Sequence, residues 1–104
     1  MGKNSNIKLM ARFIALGASH KIGQIVSPNS IFAEKYGKES RNFIEQANNI
    51  KLRENWNSND KEEIRKEVKS ETIKELNRRE HLNKSKFDVL DGVIENCLKE
   101  LGLF

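Results

Sequence analysis

With 104 residues, 37% of them hydrophobic and 33% charged, the chain has material for one thin core and not for two. No run approaches the ~20 apolar residues that a bilayer span needs, and a single cysteine, Cys97, excludes an internal disulfide framework. Four of the 19 basic residues (Lys3, Lys8, Arg12 and Lys21) and none of the 15 acidic ones fall in residues 1–33, so the whole net charge of +4 sits in the first third.

Few glycines and one proline suit long helices, and residues 1–104 are expected to form a single all-α domain of four or five helices, with 1–4 outside the ordered part. The first helix is predicted over 5–16, where Ile7, Met10, Phe13 and Ile14 recur at helical spacing and Leu9 and Leu16 widen the face. It continues to 26 unless Gly17 and Gly23 turn residues 17–26 into a short hairpin around Ser19–Lys21. The acid-free segment reads as the first core helix, as an arm touching phosphates, or as an amphipathic or transit-like stretch. Its single arginine and its apolar density count against the transit reading. The start lacks a secretory apolar region, and Asn6 breaks the myristoylation pattern.

Ser27 followed by Pro28 is a helix start signal for a helix over 28–36 that stops at Gly37. After Lys38-Glu39-Ser40 a further helix over 40–56 turns Phe43, Ile44, Ala47 and Ile50 inward. Residues 31–49 thus resemble a helix-turn-helix, with Ala33 as the small contact, Gly37 as the turn, and Phe32, Tyr36 and Phe43 as apolar supports. The second helix would expose Arg41, Asn42, Gln46 and Asn49, side-chain types that hydrogen-bond guanine and adenine edges. Lys3, Lys8 and Arg12 would then contact phosphates. The pattern departs from the usual one at Lys38 and Gln46, and net charge over 40–56 is only +1. A plain helical corner is the competing explanation.

A charged helix is expected over 60–82, capped by Asn59 or Asp60, with Glu62 and Glu63 early and Arg78 and Arg79 late, as the helix dipole favours. Its apolar residues Ile64, Val68, Ile73, Leu76 and Leu82 are sparse and drift around the axis. The last helix, 86–101, follows Ser85 and Asp88 as a capping pair and carries Phe87, Leu90, Val93, Ile94, Cys97, Leu98 and Leu101 to a glycine stop at Gly102. It is expected to pack on the first helix and on 40–56, with the charged helix across one side.

Both histidines, His20 and His81, are isolated, and no cluster has metal-ligand spacing, so neither a cofactor nor a metal is expected. No phosphate loop, nucleophile elbow or Cys/His pair is present, which argues against an enzyme. Trp56 reads as a helix-end seal or as an anchor for a partner. Cys97 reads as a buried apolar thiol, fitting a reducing, cytoplasmic setting. Two functions stay open: a small nucleic-acid-binding regulator, or a protein–protein interaction module that docks or self-associates through an apolar helix face. Membrane-surface attachment through 5–26 ranks third.

Overall fold

The computed structural model describes residues 2–104, and these form an all-α bundle. Helix α1 spans Lys3–Val26, α2 Ala33–Lys51, α3 Ser58–Arg78 and α4 Leu90–Glu100, with a short 3-10 turn at Lys84–Phe87 before α4. No helix is long and apolar enough to cross a membrane.

Helix α1 is the axis of the fold, and α2, α3 and α4 all pack on it. That role follows from its composition. Ile7, Met10, Ala11, Ile14, Ala15, Ala18 and Ile22 are all buried, and they cover more than one side of a helix. Residues 3 and 4 are helical rather than outside the fold, and residue 1 lies outside the described residues. The hairpin alternative for 17–26 is excluded, because α1 runs unbroken to Val26. Its two glycines serve contact, not turning. A Cβ on Gly17 would stand 2.8 Å from Ile44 Cδ1 and 3.3 Å from the Ser40 carbonyl oxygen, and one on Gly23 would stand 3.1 Å from the Tyr36 ring. The Ser40 hydroxyl donates to the Gly17 carbonyl at 2.7 Å across the same seam.

The helix-turn-helix expected over 31–49 is absent. Residues 33–51 form one continuous helix, antiparallel to α1, with Gly37 buried inside it beside the Gln24 side chain, 2.7 Å from where its Cβ would lie. The small residue lies against the side chain of Gln24, 13 residues upstream on α1, in a helix contact rather than a turn. Ser27 and Pro28 belong to the connection: Ser27 ends α1, and linked turns (Ser30 N–H to the Ser27 carbonyl, Ala33 N–H to the Ser30 carbonyl) lead into α2. Helix α2 ends at Lys51, so Trp56 lies in the next connection.

Helix α3 runs parallel to α1, from Lys3–Asp60 at one end to Tyr36 and His81 at the other. Its cap is Asn57, and Asp60 is the third helical residue of a reciprocal capping box rather than the cap itself. The seam on α1 is a straight row, Ile64, Val68, Thr72 and Leu76, all buried. Thr72 completes it because its hydroxyl donates to the Val68 carbonyl at 2.6 Å, leaving an apolar surface outward. The buried Lys86 ammonium donates to the Leu76 and Arg79 carbonyls, at 2.8 Å each, and so satisfies the end of α3.

Helix α4 starts at Leu90, four residues later than expected, after a turn in which Asn83 accepts from the Ser85 N–H. It packs on α1 and α3 rather than on α2, tied to α3 by Arg65–Glu95 at 2.7 Å and Lys69–Asp91 at 3.3 Å. Gly102, at φ +73°, ends it in a Schellman motif, with Leu103 N–H to the Leu98 carbonyl and Gly102 N–H to the Lys99 carbonyl. Leu103 then folds into the core, while Phe104 stays half exposed under the Arg65 guanidinium.

Candidate interaction surfaces

The residues expected to contact nucleic acid do not all share a face. Asn42, Gln46 and Asn49 are exposed on one face of α2, within about 60° of one another, and Arg41 is exposed on its flank, about 140° from Gln46 around the axis. Arg41 borders a cleft shared with Lys21 of α1. Gln46 lies three residues beyond Phe43, which stacks on Phe13 at 6.5 Å on the other side of the α1–α2 seam. Lys3 is spent on Asp60 at 2.6 Å and on the Trp56 ring at 5.7 Å. Lys8 stands beside Glu63 and Glu67 of α3, whose charge opposes a phosphate. Arg12 is exposed on α1, one turn beyond Lys8.

The Lys3 ammonium, followed by the Asn57 backbone N–H, holds the Asp60 carboxyl below the usual carboxylate range. Trp56 is half-buried and donates its indole N–H to the Lys51 carbonyl at 2.8 Å, which closes the end of α2. Its ring packs against the core.

His20, which the hairpin alternative would put in a turn, is buried inside α1. Nδ1 lies 2.7 Å from the Leu16 carbonyl oxygen and Nε2 lies 2.7 Å from Glu39 Oε2. Each of these oxygens accepts from the ring nitrogen that it faces. Phe43 at 5.2 Å and Tyr36 at 6.0 Å enclose the ring. This pair ties α1 to α2 and was hidden from the sequence reading because it needs both helices.

The principal concavity is a cleft of about 360 Å³ between α2 and α4, floored by α1. Ile25, Ile44, Val93 and Cys97 line it together with the polar Gln24, Ser40 and Asn96, and Lys21, Arg41 and Glu100 border it. Burial, with Glu100 adding, pushes the Cys97 thiol up to about 11, and Lys21 opposes the shift. At neutral pH the group is therefore a protonated apolar wall and a poor nucleophile. Among the described residues no group of three or more His, Cys, Asp or Glu is placed to hold a metal.

A second feature had no signal in the periodicity. At the α1–α2 end, Ile31 is 89% exposed, Phe32 51% and Ile25 43%. The Ser30 hydroxyl accepts from the Phe32 N–H at 3.1 Å, so Ile31 and Phe32 are displayed on hydrogen-bonded turns, and Ile25 on the last turn of α1.

Comparisons with protein-family models, with curated proteins and with solved structures find no match.

Proposed function

We propose that this chain is a non-catalytic module that binds a partner protein. The observation that carries this reading is the apolar end, where Ile31, Phe32 and Ile25 stay in water on a hydrogen-bonded backbone in a chain whose apolar content is low. Clustered exposed apolar side chains on a domain mark contact surfaces. The buried, protonated Cys97 fits a cytoplasmic setting.

The test is the double substitution Ile31→Ser with Phe32→Ser, compared with the unmodified chain by sedimentation velocity and by affinity capture from extracts of the source cell. Melting and circular dichroism should not change, because both side chains are exposed. Self-association or capture of a partner should be lost. A double variant that keeps every partner, or an unmodified chain that stays monomeric and captures nothing, overturns the reading.

A second reading, contact with nucleic acid, is favoured by the acid-free α1 with exposed Lys8, Arg12 and Lys21. Without a helix-turn-helix it becomes a phosphate-contacting surface with no base-reading helix. Absence of gel retardation of single- or double-stranded probes at low salt removes it.

A further inference from the structure

We infer that the cleft between α2 and α4 receives an amphipathic helix of the partner, one that lays an apolar row on the cleft floor and presents a carboxylate to Lys21 and Arg41. The inference rests on the protein-binding reading and names a site and a chemistry within it.

The first argument is architectural. Helices α2 and α4 both pack on α1 but scarcely touch each other, so the stretch of α1 around Lys21–Ile25 is left as the floor of a slot. Side chains on all three walls recur one turn apart: Lys21 and Ile25 on α1, Arg41 and Ile44 on α2, Val93 and Cys97 on α4. Such rows are the ridges between which the side chains of an added helix seat. Ile25, at 43% exposure, is the apolar group with most left to bury there.

The second argument is charge. Lys3 pairs with Asp60, Arg65 with Glu95, Lys69 with Asp91 and Arg78 with Glu75, whereas Lys8, Arg12, Lys61 and Lys66 stand without an ion pair at other places on the surface among the described residues. Lys21 and Arg41 have no ion-pair partner among the described residues, although both border the same cleft. Glu100 stands on the α4 lip, close enough to Cys97 to raise the thiol's pKa. The cleft is thus positive on its α1 and α2 side and negative on its α4 side, which orients the guest. Its carboxylate turns toward Lys21 and Arg41 and away from α4.

The experiment titrates two synthetic peptides into the isotope-labelled full chain and follows backbone amide shifts. Both are helical over about four turns with one leucine row, and they differ in carrying glutamate or lysine beside it. The glutamate peptide should shift the amides of Lys21, Ile25, Arg41, Ile44 and Val93. It should bind about tenfold tighter than the lysine peptide. Lys21→Glu with Arg41→Glu should reverse that preference, and Glu100→Gln should leave the glutamate peptide bound as tightly or tighter. Equal binding of both peptides, an unchanged preference in the charge-reversed chain, or no shift in the cleft overturns the inference. Dodecanoate alone saturating the same amides while neither peptide does also overturns it, in favour of a small anionic amphiphile. Shifts confined to Ile31 and Phe32 overturn the cleft site and leave the protein-binding reading standing. Loss of partner capture in the Ile31/Phe32 variant concerns that reading alone.

Discussion

Helices α2 and α3 lie along the same central helix and hold to it by opposite means. The α1–α2 seam works by removal of side chain: Gly17 under Ile44, Gly23 under Tyr36 and Gly37 under Gln24 let the two backbones approach closely enough for the Ser40 hydroxyl to reach a main-chain oxygen. The α1–α3 seam works by one row of larger side chains, with ion pairs on the flanks of α3. A helix made mostly of charged residues is thus held to the core by one inward row, each position of which is filled. The two seams should fail under substitutions of opposite sense.

The largest effect is expected on the α3 side. Leu76→Ala opens a cavity at a fully buried position, and chemical denaturation should report a loss of roughly 3–4 kcal/mol. On the α2 side enlargement is the damaging change. Gly17→Val drives methyl groups into Ile44 and the Ser40 carbonyl, and should cost about 2–3 kcal/mol in the same measurement. Its control is Gly92→Ala in α4, where a Cβ meets nothing within 4 Å and helix propensity should add stability. If Gly17→Val is neutral, the close-approach account of that seam is wrong. Next, Lys86→Met keeps the stem but leaves the Leu76 and Arg79 carbonyls without their donor, and a loss of about 1–2 kcal/mol is expected.

The smallest effect concerns the exposed end of the α3 seam and is read by titration, not by stability. The Asp60 carboxyl is depressed in the folded chain, so its contribution is present above the ordinary carboxylate range and is lost as pH falls through the folded value. Lys3→Ala should move the Asp60 carboxyl resonance midpoint upward toward its ordinary value. An unmoved midpoint would show that Lys3 is not the main cause.

The same contrast explains what was legible in the sequence. The all-α class, the charged helix and the glycine stop at Gly102 are written in local signals, dipole-matched charges and a residue that tolerates positive φ, whereas the caps of α3 and α4 were misplaced. Gly37 carried a signal of the same kind that pointed the wrong way. A glycine after IFAEKY fits a helix corner as well as a helix contact, and only Gln24 on another helix decides between them. The candidate base-reading set Arg41, Asn42, Gln46 and Asn49 depended on that corner to be presented as a recognition helix, and the continuous helix removes the corner. Lys21, Ile25 and Cys97 could not be grouped from spacing, because the cleft that gathers them is made by three helices distant along the chain. His20 and Glu39 were missed for the same reason. Thr72 was passed over because its polarity is cancelled by a hydrogen bond within its own helix.

Because α2, α3 and α4 each pack on α1 and only α3 and α4 make more than passing contact with one another, the bundle is a star rather than a ring. Amide hydrogen exchange should respect that arrangement. The slowest-exchanging amides belong to the middle of α1, whose opening requires every spoke to detach. Helix α4, the shortest spoke, should exchange through local opening that leaves the α1–α2 pair protected.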